Sequence, residues 1–236
     1  MRTLGILGGM SWESSAQLYK LLNREVAQRL GGLHSADVLM RSLNFAEVAA
    51  LQRSGDWAGA ALMLGTAGRA LGEAGAQALL IATNTMHKVA EEVEAQSGLP
   101  LIHIVDATAA GLKAAGVRRA GLLATRYTME EDFYRDRMRV RHDIELIVPE
   151  PEQRQELHRI IFEELCQGQV LAESRAFYLQ TVQALAAQGA QGVILGCTEI
   201  CLLLGPDTAA ALPLFDSTAL QARAAVEWML GGTTDA

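Results

Sequence analysis

The stretches "ALLIATNTMHKV" (residues 78–89) and "GVILGCTEICLL" (residues 192–203) share one shape, an apolar run that stops abruptly at small polar side chains. Residues 78–82 are all apolar, and Thr83, Asn84 and Thr85 follow at once; in the second stretch Cys197, Thr198 and Glu199 follow VILG. A short, wholly apolar run bounded by a turn is how a strand buried on both faces of a parallel sheet reads. In an open parallel sheet, ligands bind outside the carboxyl ends of the strands. The two polar turns are therefore candidate binding sites, each opening a helix whose first backbone N–H groups suit an anion such as a carboxylate.

Outward from these stretches, apolar runs alternate with amphipathic ones. Strands are predicted at Leu4–Leu7, Asp37–Ser42, Ala78–Ala82, Leu101–Ile104, Arg119–Ala124, Glu145–Ile147 and Val193–Leu195. Helices are predicted at Glu13–Leu30 with Ser11 as N-cap, Trp57–Ala74, Met86–Ser97, about Met129–Val140, about Glu152–Cys166 and about Leu171–Gln188. Alternation of this kind defines an α/β architecture with parallel sheet. The order also repeats. "LGILGGMSWESSAQLYKLL" from Leu4 and "AGLLATRYTMEEDFYRDRM" from Ala120 each hold a glycine, an apolar strand, a polar turn, an acidic residue and a Tyr-bearing helix. Thr83 stands 78 positions after Gly5, and Cys197 stands 76 after Gly121. Two related halves are expected, with the two polar turns as opposite walls of one cleft.

Composition narrows the function. The chain has 236 residues, 50% apolar, long enough for a sizeable core. Its net charge of −7 offers no basic footprint, so nucleic acid is not an expected partner. No apolar run approaches the roughly 20 residues of a membrane-spanning helix, and the N-terminus lacks the apolar region of a signal peptide. The three cysteines, Cys166, Cys197 and Cys201, form no CxxC pair, which suits free thiols in a reducing cytoplasm. The five histidines, His34, His87, His103, His142 and His158, show no ligand spacing, and no metal is predicted.

Cys197 is the leading candidate for chemistry, since N–H groups at a helix start stabilise a thiolate; a small buried core thiol would occupy the same position. Cys166 and Cys201 read as packing residues. Thr83 is the counterpart of Cys197 under the repeat. Its hydroxyl is a poor base but can hand a proton to a reactive carbanion; as an N-cap or a donor to a carboxylate it would be no less at home. Asn84, Thr85, Thr198 and Glu199 would cap helices or bind ligand, and Glu199 and His87 would orient groups at the cleft; His87 would be equally at home as a satisfied helix histidine. "GILGGMS" lacks both GxGxxG and a Walker lysine, so nucleotide binding is not expected; Gly8 and Gly9 would let the backbone approach a small ligand. Lys88 reads as a solvated helix lysine and not as a Schiff base.

"GILGGMSWES", "TNTMH" and "GCTEI", in this order and spacing, resemble the aspartate/glutamate racemase family over nearly the whole chain. The resemblance is strongest to its enterobacterial broad-specificity and L-aspartate/L-glutamate subgroup, in which a threonine also stands at the first catalytic position. It implies two Rossmann-like domains related by a pseudo-twofold axis, spanning residues 1–105 with 212–236 and residues 106–211, and an active site between them. It implies racemisation of an amino acid or dicarboxylate without a cofactor, commonly in a homodimer, one group removing the Cα proton and another delivering one to the opposite face. The family's second cysteine falls on Cys197 and its first on Thr83, where typical members read CNT, so a symmetric two-thiol mechanism is not implied. Met10, Ser11, Gln52, Asn84, Thr85, Thr198 and Glu199 match substrate-binding positions; Thr125 and Tyr127 join them as repeat counterparts of Gly9 and Ser11. An arylmalonate-decarboxylase-like single-cysteine enzyme and a non-catalytic amino-acid-binding protein are the alternatives that Thr83 keeps open.

Overall fold

Strands and helices alternate along the chain, and in the computed structural model they assemble as two α/β units. The structure describes residues 1–205 and 207–232. The first unit comprises Met1–Ile104 and the chain from Gln221; the second is Val105–Leu220.

In the first unit β1 (Leu4–Gly8), α1 (Trp12–Leu30), β2 (Val38–Ser42), α2 (Phe45–Ser54), α3 (Trp57–Glu73) and β3 (Ala78–Ile81) build a parallel sheet of order β2-β1-β3. Successive side chains of a strand point to opposite faces. Leu4, Ile6, Ala78 and Leu80 accordingly pack with Leu18, Leu22 and Val26 of α1 and with Ala222, Ala225, Val226 and Met229 of the last helix. On the other face Leu7, Leu79 and Ile81 pack with Ala60, Leu64, Ala67 and Leu71 of α3. Both faces are covered, which is why β1 and β3 read as continuous apolar runs. Each fully buried Leu or Ile contributes about 1.5–3 kcal/mol.

After β3 a tight turn, Thr85–Val89, leads into α4 (Ala90–Ser97). The strand expected at Leu101–Ile104 is reduced to a single parallel bridge between Leu79 and Leu101. The Leu79 N–H donates to the Pro100 carbonyl at 2.8 Å and the Ile102 N–H to the Leu79 carbonyl at 2.9 Å. Pro100 has no N–H to continue the ladder, and α5 (Ile104–Ala114) begins two residues after Ile102.

The second unit repeats the plan with β4 (Arg119–Ala124), α6 (Arg126–Glu130), α7 (Asp132–His142), β5 (Glu145–Ile147), α8 (Pro151–Arg159), α9 (Ala172–Ala187), β6 (Gly192–Gly196), α10 (Ile200–Leu203) and β7 (Leu214–Asp216); α11 (Ser217–Met229) follows β7 and carries the chain back into the first unit. Its parallel sheet has the order β5-β4-β6-β7. In both sheets the first strand of the unit is flanked by the second on one side and the third on the other. β4 thus stands for β1, β5 for β2 and β6 for β3, the correspondence the repeat requires, and each unit is Rossmann-like.

Two predicted helices are interrupted. Glu131 is extended (φ −86°, ψ 148°) and divides the 129–140 segment into α6 and α7. The 152–166 segment is α8 followed by a wide turn over Ile160–Glu164 and a tight one over Leu165–Gln167. The C-terminal division falls at residue 221 and not at 212, because residues 214–216 pair with β6 as the outer strand of the second sheet.

In the second unit α5 is tied to α7 by charge. Asp106 accepts Arg137 Nε at 2.8 Å and Nη2 at 2.5 Å, and His142 Nε2 lies 2.7 Å from its Oδ1. Burial alone would raise the Asp106 pKa, but the hydrogen bonds and charges of Arg137 and His142 outweigh it and hold it below the usual carboxylate value. A carboxyl whose folded pKa is depressed adds stability above its unfolded pKa of about 3.9, and that stability drains as pH falls through the folded value. Asp106→Asn should therefore cost about 2–4 kcal/mol at pH 7. In urea titrations the gap between variant and wild type should close below about pH 4; a gap constant from pH 7 to pH 3 would refute the assignment.

Candidate active site at the strand ends

The register of each sheet decides what gathers at its carboxyl edge. In the first unit Leu7 pairs with Ile81, so the turn after β1, with Met10 and Ser11, leaves the sheet beside Thr83, Asn84 and Thr85. Ser11 caps α1 as expected, its Oγ accepting from the Ser14 N–H at 3.2 Å. Met10, Asn84 and Thr85 are buried, and Thr83 is half-buried. Gln52 of α2 is buried as well and donates from Nε2 to Met86 Sδ at 3.1 Å, which fixes it over the turn that follows β3.

The role expected of Gly8 and Gly9 is different in the structure. A Cβ on Gly8 would come within 2.7 Å of Ser15 Oγ, and one on Gly9, where φ is +88°, within 2.2 Å of the Leu43 carbonyl oxygen. The space beside both glycines is filled by the protein itself. The Gly9 N–H donates to Ser15 Oγ at 2.8 Å, and Ser15 Oγ donates on to the Ser11 carbonyl at 2.9 Å. The two glycines thus allow the β1 turn to close on α1 and on the chain entering α2, not to admit a ligand. Lys88 lies with Nζ 4.1 Å from the centre of the Trp57 ring, a cation–π contact.

In the second unit Ala124 pairs with Gly196, so Thr125 and Cys197 leave adjacent strands side by side. Cys197 Sγ donates to Glu199 Oε2 at 2.9 Å, and Thr198 Oγ1 donates to the same oxygen at 3.2 Å. Glu199 is buried; Cys197 is partly exposed as a residue, but its sulfur is withdrawn against this carboxylate. Burial first, then the charge of Glu199 and the hydrogen bond to it, push the Cys197 pKa well above that of an ordinary thiol. The expectation of a resting thiolate is therefore corrected: an adjacent carboxylate outweighs the N–H groups of the turn, and α10, with only four residues, offers little dipole. The resting pair is a thiol hydrogen-bonded to a carboxylate.

Thr125 is buried at the start of α6, its Oγ1 3.3 Å from Thr128 Oγ1. Tyr127 turns its ring edge-on to His158, at 5.7 Å between centres, and His158 Nδ1 accepts the Arg126 N–H at 3.2 Å. His158 steadies the β4 turn, a role no sequence signal gave. Behind Cys197, Tyr178 is fully buried, its pKa raised by burial first and then by Cys197 and Glu164. Glu164 is buried at the end of the wide turn, accepting from Ser174 and, at 2.7 Å, from Arg159 Nη2. Burial first, then the charge of Asp216 and the hydrogen bond to it, push the Cys201 pKa up; Asp216 also caps α11 by accepting from the Thr218 and Ala219 N–H groups at 2.9 and 3.1 Å. Among the described residues no group of three or more His, Cys, Asp or Glu side chains is arranged to hold a metal ion, and no helix is long and apolar enough to cross a membrane.

Two open parallel sheets that share one three-strand order, with a threonine and a cysteine at equivalent strand ends, define a duplicated α/β protein with candidate acid–base groups. Residues 7–225 match the Asp/Glu/Hydantoin racemase family, and the chain belongs to it, which places it among isomerases. An Asp/Glu racemase candidate from Yersinia pestis is 49% identical over 98% of this chain and 100% of its own, with a TM-score of 0.91. An aspartate racemase homologue from Pyrococcus horikoshii OT3 is 32% identical over 98% and 100%, with a TM-score of 0.83. The aspartate racemase of Picrophilus torridus, 18% identical over 98% and 95%, shares the fold with a TM-score of 0.73.

The Cys197–Glu199 geometry makes a prediction that needs no substrate. Glu199→Gln removes the charge that disfavours the thiolate, so the Cys197 pKa should fall. Alkylation of Cys197 by iodoacetamide at pH 8, followed by peptide mass spectrometry, should accelerate about tenfold for each unit of that fall. An unchanged or slower rate would remove Glu199 as the cause.

Proposed function

We propose that the protein is a cofactor-independent amino-acid racemase acting on aspartate or glutamate, with Cys197 and Thr83 serving opposite faces of one Cα. The observation that carries the reading is the Cys197–Glu199 hydrogen bond of 2.9 Å at the end of β6, in a chain whose equivalent strand β3 leads to Thr83. A thiol already hydrogen-bonded to a carboxylate has a base within reach to convert it to a thiolate in place. Glu199 takes the thiol proton, and the thiolate then takes the Cα proton of the bound amino acid. Thr83 Oγ delivers a proton to the other face and is reprotonated, while Glu199 returns its proton to solvent, so the sites end as they began. Without an electron sink in the substrate, the carbanion is stabilised by hydrogen-bond donors at the turns, for which Ser11, Asn84, Thr85, Thr125 and Thr198 are the candidates, with Met10, Gln52 and Tyr127 shaping the site. Homodimeric assembly in the cytoplasm belongs to the same proposal, and sedimentation velocity would read the assembly.

The two groups are unlike, and that separates their variants. Cys197→Ala should lower racemisation of aspartate and glutamate by a factor on the order of a hundred or more, and abolish uptake of deuterium at Cα from the enantiomer that faces the sulfur. Thr83→Ala should also stop inversion, yet leave that enantiomer exchanging its Cα proton with heavy water. Proton NMR and chiral chromatography read both quantities. Inversion persisting in Cys197→Ala would reject the mechanism. Release of carbon dioxide from disubstituted malonates without any Cα exchange of amino acids would favour the single-cysteine alternative.

A further inference from the structure

His87 is buried, yet both of its ring nitrogens are engaged by backbone. Nδ1 lies 2.8 Å from the Thr83 carbonyl oxygen, and Nε2 accepts the Ile104 N–H at 3.2 Å. An amide N–H only donates, so Nε2 carries no hydrogen and Nδ1 does. The backbone explains why Thr83 needs this partner. In an α-helix the amide of residue 87 would bond the carbonyl of residue 83. Here the turn is tighter, and the His87 N–H goes to the Asn84 carbonyl at 3.1 Å instead. The imidazole of the same residue takes over the bond its own amide does not make. Its far nitrogen meets the first amide of α5, one of the donors that a helix start leaves without an intrahelical acceptor. The His103 ring stands edge-on at 4.6 Å and holds the imidazole plane.

We propose that His87 is a positioning residue: its Nδ1–H fixes the Thr83 main chain, and so the direction of the Thr83 hydroxyl, while its Nε2 anchors that turn to the start of α5. The consequence for catalysis rests on the reading of Thr83 as a proton carrier; the arrangement itself does not.

Two substitutions divide the ring's two tasks. A glutamine reaches the Nε2 position and can accept from Ile104, but loses the bond to Thr83. An asparagine reaches the Nδ1 position and can donate to Thr83, but loses Ile104. His87→Gln should melt near the wild-type temperature while kcat for inversion falls about ten- to a hundredfold with KM little changed. Deuterium uptake by the enantiomer facing Cys197 should be spared. His87→Asn should melt lower and keep most of its kcat. Loss of activity in step with loss of stability in both variants would show a merely structural role and overturn the proposal. Long-range nitrogen–proton NMR correlations of the wild-type ring provide a readout independent of any activity. They should show hydrogen on Nδ1 and a bare Nε2, and the opposite tautomer would also overturn it. Thr83→Ala serves as the reference: if it retains inversion, the reading of Thr83 fails and takes the catalytic consequence with it. If Thr83→Ala loses inversion and His87→Gln does not, only the role of His87 falls.

Discussion

A parallel strand covered on both faces can offer polar atoms to a ligand only at its ends. β1 and β3 are held between α1 and α11 on one side and α3 on the other, and every residue of β3, β1 and β6 is buried. The apolar runs that secure this burial leave no room for chemistry along the strands. Side chains able to bind or react are therefore confined to the turns beyond the carboxyl ends. The in-register pairing of Leu7 with Ile81 and of Ala124 with Gly196 brings two such turns together in each unit. The family's reaction would need groups held within fractions of an ångström, and rigid strand ends are a better mount for them than free loops.

Electrostatics at the two ends diverge although the topology agrees. Beyond β6 a sulfur meets a carboxylate, and the hydrogen bond between them keeps the proton on sulfur against the helix-start stabilisation of a thiolate. Beyond β3 the polar group is a hydroxyl whose main chain is tied down by an imidazole. The first arrangement tunes where a proton resides; the second tunes where an oxygen points.

Much of this was legible in the chain because burial writes strongly periodic patterns. The strands ending at Gly8, Ile81, Ala124 and Gly196, the Ser11 cap and the repeat all rest on apolar runs and turn residues that local physics dictates. The misses share a cause in tertiary context. Leu101–Ile104 has a strand's composition, but Pro100 and the start of α5 cut its ladder to one bridge. β7 reads as loop because only three residues pair, and it draws 212–220 into the second unit. The thiolate expectation weighed Cys197 against the turn and not against Glu199, two residues on. Nothing local could announce that His158 would accept the Arg126 amide, or that Glu164 would be buried against Ser174 and Arg159.

The mismatch at equivalent strand ends, oxygen in one unit and sulfur in the other, has a thermodynamic corollary. Mirror-image amino acids have equal free energy in water, so a catalyst that interconverts them must have the same specificity constant in both directions, however unlike its two acids. In a racemase that used both groups, any asymmetry between a hydroxyl and a thiol would surface only as compensating differences of saturation and turnover. An enzyme built on such unequal partners would fill with one hand of substrate at lower concentration than with the other, and turn that hand over proportionally more slowly.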